Sequence, residues 1–169
     1  MKNEAPKLVT FRLGDDLFAA DIFAVERVLR YQAPRVLPDV PPWIEGVIEY
    51  QTRVVPVLNL RRRFELPAIP VTGETRIVVL NARGEWIGIV VDSVLEVSSI
   101  ESGQMSTPPA FFRGLAGEYL KGIVRRKDAG ERLVIVLDVE QLLSTAERIA
   151  LELDRVRDTP AAGAATVDV

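Results

Sequence analysis

The 169-residue chain has neither cysteine nor histidine. The first absence removes disulfides, a thiolate nucleophile and sulfur-ligated metal. The second removes the commonest general base near neutral pH and the commonest metal ligand. No charge of one sign dominates: 21 basic and 24 acidic residues leave a net charge of −3, with the signs interspersed. That balance offers no whole-protein attraction to nucleic acid or to anionic lipid. No apolar run approaches the ~20 residues that span a bilayer. The opening MKNEAPKLVTF lacks the apolar stretch of a signal peptide. These absences lean against catalysis and membrane insertion, and the expectation is a soluble, cytoplasmic protein without a cofactor.

What the chain does have is an apolar content of 48%, rich in Val and Ile and sufficient for a core. LVTFRL (8–13) alternates and GDDLFAADI (14–22) restarts the alternation after a Gly-Asp-Asp turn, which predicts a β-hairpin. FAVERVLRY (23–31) fits a helical spacing at Val25, Val28 and Leu29, but its β-branched content and shortness favour a turn and a strand. QAPRVLPDVPP (32–42) carries four prolines and must be a loop or an edge. VIEY (47–50) and VVPVLNL (54–60) predict a second hairpin, with Pro56 at an edge or a bulge.

The pattern then repeats. TRIVVLNARGEWIGIVVDSVLEV (75–97) parallels KLVTFRLGDDLFAADIFAVERV (7–28), and both second strands end in an aspartate, Asp21 and Asp92. After a polar stretch at 98–119, GIVRRKDAGERLVIVLDVEQLL (122–143) repeats GVIEYQTRVVPVLNLRRRF (46–64). Asn59 and Asp138 occupy equivalent places, each suited to cap a short helix. Four or five short strands per copy, with Gly and Pro turns, predict two small β-barrels from an internal duplication. STAERIALELDRVRD (144–158) has Ser144 and Glu147 in capping-box spacing, and TPAAGAATVDV (159–169) reads as a frayed tail.

Chemistry-bearing residues are few. Asp15 and Asp16 fit a turn, where Asp bonds its own backbone. Asp138 fits a cap, and Asp92 a structural or interface role. Gly84 and Gly88 lie in or beside a hairpin turn, without the strand-to-helix context of a phosphate loop. Arg61, Arg62 and Arg63, with a smaller run at Arg125, Arg126 and Lys127, are best read as solvated faces. Binding of single-stranded nucleic acid would need stacking aromatics, and only Phe64 is near the first run. Valines such as Val25 and Val28 fit either outward apolar patches or core.

The ordered set FRLGDDLFAADI, PPWIEGVIEYQTRVVPVLNLRRRF, RIVVLNARGEWIGIVVDSVLEV and YLKGIVRRKDAGERLVIVLDVEQLL resembles the CheW family, the scaffolds that couple chemoreceptors to the histidine kinase CheA in bacterial chemotaxis. The resemblance runs from about Leu8 to Leu143. It implies a mainly β fold of two SH3-like five-stranded barrels around one shared core, with short helices and a C-terminal helix. The expected layout is a single domain over 1–158. Its first barrel is at roughly 15–73, its second is made of 7–14 plus 74–143, and its helix is 144–158, with a disordered tail at 159–169. The resemblance also implies binding without catalysis. Its expected partners are the regulatory domain of a CheA-like kinase, the cytoplasmic tip of a methyl-accepting chemoreceptor and other CheW-like domains in array rings.

Carried over by position, the receptor groove includes Val25, Val28 and Leu29 from one barrel with Val91, Asp92 and Val94 from the other, and Gly46 matches a family glycine. The kinase-facing surface is placed near Val36, Leu37 and Leu66. The chain departs from the family reading Gly-Val-Ile-Asn-Leu-Arg-Gly, having Glu49-Tyr50-Gln51-Thr52 for the last four. The family arginine is thus Gln51, and a family glutamate is Arg27. This exchange suggests that Arg27 pairs with Glu49, so that Arg27, Glu49 and Gln51 join the groove set. Thr52 in place of the turn glycine suggests a turn without a left-handed residue, or a longer one.

Overall fold

The structure, a computed structural model, describes residues 7–100, 104–107, 119–126 and 132–142. The expected C-terminal helix 144–158 with its capping box, the tail 159–169 and positions 101–103 and 108–118 of the polar stretch lie outside the described residues. No helix among the described residues is long and apolar enough to cross a membrane.

Among the described residues, eleven strands follow the alternation and turn signals. β1 (Lys7–Leu13) and β2 (Asp16–Asp21) form a hairpin, and a 3-10 turn at Ile22–Ala24 leads into β3 (Val25–Arg30). β4 (Ile44–Tyr50) and β5 (Arg53–Asn59) form the second hairpin, followed by one helical turn, α1 (Leu60–Arg63). β6 (Arg76–Ala82), β7 (Glu85–Val91) and β8 (Ser93–Ser99) repeat the opening arrangement. β9 (Met105–Ser106), β10 (Leu120–Arg126) and β11 (Arg132–Leu137) complete the second copy. Asn59 accepts the Arg62 N–H at 3.1 Å and Asp138 accepts the Gln141 N–H at 3.2 Å, so both residues cap helical turns as their positions predict.

The strands assemble into a six-stranded sheet, β8–β1–β2–β11–β10–β9, and a five-stranded sheet, β3–β6–β7–β5–β4. Neither order closes on itself among the described residues, so the expected mainly β fold is realised as two sheets that are open at their edges. β2 stays beside β1, while β6 and β7 join β3, β4 and β5. Each sheet is therefore built from halves of both sequence copies. The joints are parallel pairs at equivalent places, Val57 beside Gly88 and Val136 beside Ala19. The two crossings between sheets lie at residues 21–25 and 91–93.

This interleaving explains the apolar runs. Successive residues of β6 face opposite sides of the sheet. Val78 and Leu80 enter a core shared with Phe11, Phe18 and Leu137 of the other sheet, whereas Ile77 and Val79 pack with Ile48 and Val55 of their own sheet. A third cluster, with Leu17, Val124 and Val134, belongs to the six-stranded sheet. Both faces of the central strands are thus buried, and no polar alternation is expected there.

The repeated glycines have a common steric cause. Gly46 has φ +147°, and a Cβ there would lie 2.1 Å from the Arg35 carbonyl oxygen. Arg35 crosses β4 and exchanges backbone hydrogen bonds with Val47. At the equivalent Gly122 a Cβ would lie 2.4 Å from Cγ of Met105, on the short strand that pairs antiparallel with β10. Each copy needs a residue without a side chain where a second segment lies against the strand.

Two local expectations are corrected. Pro56 lies on β5, an interior strand rather than an edge. It is tolerated because Val47 opposite it bonds Arg35 instead, and parallel pairing with β7 begins one residue later, at Val57. The Gln51-Thr52 turn is neither lengthened nor freed of left-handed residues: it has two residues, with φ of 50° and 64°. The right-handed twist of the flanking strands selects this turn type even without glycine. Arg53 then holds it, donating to the Gly84 carbonyl at 2.8 Å and lying 3.8 Å over the Trp86 ring.

Candidate functional site: the joint between the sheets and its edge strands

Asp92 ends β7 at one of the crossings between sheets. Its N–H donates to the Arg12 carbonyl at 2.9 Å. Its Oδ2 accepts from the Gly14 N–H and from Arg61 Nη2, both at 2.7 Å, and its Oδ1 accepts from Arg61 Nε at 3.1 Å. Burial works against the carboxylate, but the Arg61 and Gly14 hydrogen bonds, with the charges of Arg61 and Arg12, outweigh it and hold the carboxyl below its usual range. The same hydrogen bond raises the Arg61 guanidinium against the opposing effect of burial. Asp92 thus has a structural task, tying α1 of one sheet to the β1–β2 turn of the other.

The reading of the arginine run as a solvated face is corrected by these contacts. The Arg61 side chain is 11% exposed and also donates to the Pro67 carbonyl. Arg63 lies 4.9 Å over Tyr119 and 5.5 Å over Trp43, one aromatic from each sequence copy, and donates to the Tyr119 hydroxyl at 3.2 Å. Arg62 alone keeps an exposed side chain, bonded to the Pro42 carbonyl. A periodicity argument misses this because guanidinium groups pair and stack inside a joint as readily as they hydrate.

A cleft of ≈160 Å³ lies beside the pair, lined by Glu45, Asn59, Arg61, Asp92, Ile69 and Val71. Asn59 Nδ2 donates to Glu45 Oε1 at 2.6 Å. Tyr31 also lines the cleft, and burial, followed by the nearby Glu45 charge, raises its phenol above the usual range. The cleft is smaller than the ~300–1,000 Å³ of small-molecule sites. Among the described residues no group of three or more carboxylates is placed to hold a metal ion.

The positions carried over for the groove lie in different surroundings. Val25 and Val94, near the starts of β3 and β8, are half-buried and pack on the shared core. Val28 is 38% exposed and Leu29 packs on the core of the five-stranded sheet. Val91 is fully buried and offers no surface, and Gly46 is buried under Arg35. Arg27 and Glu49 are exposed but lie on β3 and β4, the opposite edges of one sheet, and among the described residues neither takes part in an ion pair. Their proposed pairing is therefore corrected: three strands separate them in the sheet. Gln51 is exposed at its turn. Of the kinase-facing set, Val36 is 78% exposed, Leu37 is half-buried and Leu66 packs on the shared core. Alternation did not single out Phe23, Val54, Leu95 or Val97, all of which expose apolar surface.

Compared with known protein families, residues 7–147 match the CheW-like domain, a span that covers both sheets and the joint between them. The chain belongs to the CheW family. Its relatives include the chemotaxis protein CheW of Treponema pallidum, 32% identical over 87% of each chain. The chemotaxis protein CheW of Klebsiella aerogenes is 33% identical over 83% of each. Protein FrzA of Myxococcus xanthus is 30% identical, over 83% of this chain and 87% of its own. The crystal structure of the scaffolding protein TtCheW from Thermoanaerobacter tengcongensis is similar with a TM-score of 0.73 and 26% identity, over 81% of this chain and 86% of that one. The two-sheet arrangement is thus the fold of a CheW chemotaxis scaffold.

Proposed function

We propose that this CheW-like chain is a non-catalytic adaptor that couples a CheA-like histidine kinase to the cytoplasmic tips of chemoreceptors. The observation that carries the reading is the extent of the family match, which spans both sheets and their joint. The charged groups at that joint are engaged in structure, Asp92 with Arg61 and Arg63 with Trp43 and Tyr119. What remains for function is surface: the edge strands β3 and β8, with the exposed Val28, Leu95 and Val97, and the loop carrying Val36. An apolar surface receiving an amphipathic helix is a recurrent recognition mode. In this reading the edge strands serve the receptor tip, and the Val36 loop serves the kinase regulatory domain or another CheW-like domain in an array ring.

A second reading within the same class is a scaffold that binds the kinase but no standard receptor. It is favoured by Arg27 and Gln51, whose side chains are exposed and differ in charge from the family pattern. A pull-down of the full chain against the regulatory domain and, separately, against a receptor-tip fragment decides between them. Binding to both supports the coupling role. Binding to the kinase alone supports the second reading, and binding to neither overturns the adaptor function.

A further inference from the structure

The strands of the five-stranded sheet end around the ≈160 Å³ cleft. Tyr31 follows β3, Glu45 lies near the start of β4, Asn59 ends β5, Thr75 precedes β6 and Val90 lies near the end of β7. Antiparallel pairing puts these positions at one end of the sheet, away from the turns at Gln51-Thr52 and Arg83-Gly84. The remaining wall is the loop after α1, whose Ile69 and Val71 are 47% and 54% exposed. That wall is fixed at both ends. Arg61 donates to the Pro67 carbonyl, and the Thr72 N–H donates to Thr75 Oγ1 at 2.9 Å. The cleft is therefore formed before any ligand arrives.

Within it the donors are spent and acceptors remain. Asn59 Nδ2 is given to Glu45 Oε1, and Arg61 is committed to Asp92 and Pro67. The Glu45 side chain is 17% exposed, and among the described residues no hydrogen bond reaches its Oε2 or the Tyr31 hydroxyl. Arg62 comes within 3.9 Å of Glu45 Oε1, beyond hydrogen-bond reach, on a side chain that is mostly in solvent. The negative charge prevails inside: after the effect of burial, Glu45 raises the Tyr31 phenol more than Arg62 lowers it. A largely buried carboxylate with one open oxygen is best satisfied by a positively charged donor. The volume is close to the ~150 Å³ of a cavity that takes up benzene, enough for a cationic head and a short stem. Ile69 and Val71 offer that stem an apolar surface.

We propose that this cleft binds one guanidinium or ammonium group on a short alkyl stem, with Glu45 as its charge partner, Tyr31 as a second acceptor, and Ile69 and Val71 against the stem. The group belongs either to a free alkyl guanidine or amine, or to an arginine or lysine side chain of a bound protein. The recognition chemistry is the same for both. The site does not depend on the adaptor reading above.

The test is a titration of the isotopically labelled full chain followed by NMR. The probes are n-butylguanidinium, n-butylammonium, uncharged n-butanol and a terminally blocked tripeptide with arginine at its centre. The expected result is saturable shifts at Tyr31, Glu45, Ile69 and Val71 with both cations, at millimolar Kd, and none with butanol. Glu45→Gln keeps an oxygen for Asn59 and should melt close to wild type, yet bind the cations roughly 10-fold more weakly. Arg62→Ala removes a competing guanidinium and should bind them more tightly. Tighter binding of the tripeptide than of n-butylguanidinium supports the protein side chain as the source, and weaker binding supports a free molecule. Absence of saturable shifts from either cation, or equal binding of butanol, overturns the proposal. Cation binding that Glu45→Gln leaves within about twofold also overturns it. So does a loss of binding in Arg62→Ala, which would make the arginine, not Glu45, the partner of the ligand.

Discussion

Arg61 and Asp92 meet in a two-pronged ion pair, 3.1 Å from Nε to Oδ1 and 2.7 Å from Nη2 to Oδ2, at the place where β7 gives way to β8. The pair sits 11% and 17% exposed, and the Gly14 N–H completes the carboxylate's partners. It connects elements that the backbone pairing assigns to different sheets. The angle between the sheets is therefore held by a polar contact as well as by the shared apolar core.

Removing the carboxylate leaves Gly14 N–H and the Arg61 guanidinium short of an acceptor. Asp92→Ala should lower stability by roughly 1–3 kcal/mol in urea denaturation. The pH dependence has a definite sign. The folded carboxyl titrates below its unfolded value, so the pair's contribution is complete above the ordinary carboxylate pKa of ~3.9. It is lost as the pH falls through the depressed folded value. The stability gap between wild type and Asp92→Asn should thus be constant near neutrality and close only in strong acid. A gap that closes near pH 6 would contradict the assignment.

The two repeated glycines should respond unequally to the same change. Gly46→Ala drives a Cβ to 2.1 Å from a backbone carbonyl oxygen, which cannot move without displacing Arg35 from β4. A loss of roughly 2–4 kcal/mol is expected. Gly122→Ala meets the flexible Met105 side chain at 2.4 Å and should cost less, about 1–2 kcal/mol. Gly73→Ala, with nothing within 4 Å, serves as the neutral control. Thermal melts of the three variants give the ranking.

Thr52 is a β-branched residue at φ 64°, a left-handed conformation that disfavours a branched side chain. Thr52→Gly should therefore stabilise the chain by about 1 kcal/mol, raising Tm by roughly 2–4 °C. A lower Tm would mean that the Thr52 hydroxyl, which donates to the Gln51 carbonyl at 2.5 Å, outweighs the strain.

The caps offer a comparison across the duplication. Asn59→Ala and Asp138→Ala each remove an acceptor for one N–H of a helical turn, at a cost of about 1 kcal/mol. Asn59→Ala should cost more, because Asn59 also donates to Glu45 at 2.6 Å. Urea midpoints of the two variants should therefore differ in that direction.

Much of this was legible from the chain because it is local. The hairpins follow from alternation and turn residues a few positions apart, and the caps at Asn59 and Asp138 from a single residue before each helical turn. The duplication is visible because both copies face the same local demands, including Gly46 and Gly122. The turn at Gln51-Thr52 was misjudged because strand twist, rather than the residues within the turn, selected its geometry.

The sequence by itself determined the strands, their caps, the twofold repetition and the resemblance to a scaffold family, since each depends on neighbours within a few residues or on an ordered set of short motifs. Only the tertiary structure decided which hairpin joins which sheet. That choice rests on parallel contacts between segments far apart in the chain, Val57 with Gly88 and Val136 with Ala19, which no local pattern encodes. The same holds for the site. Val91 reads as surface or core until the sheets interleave and bury it, Arg61 reads as solvated until Asp92 arrives from across the joint, and Phe23 stands exposed because the chain changes sheets there.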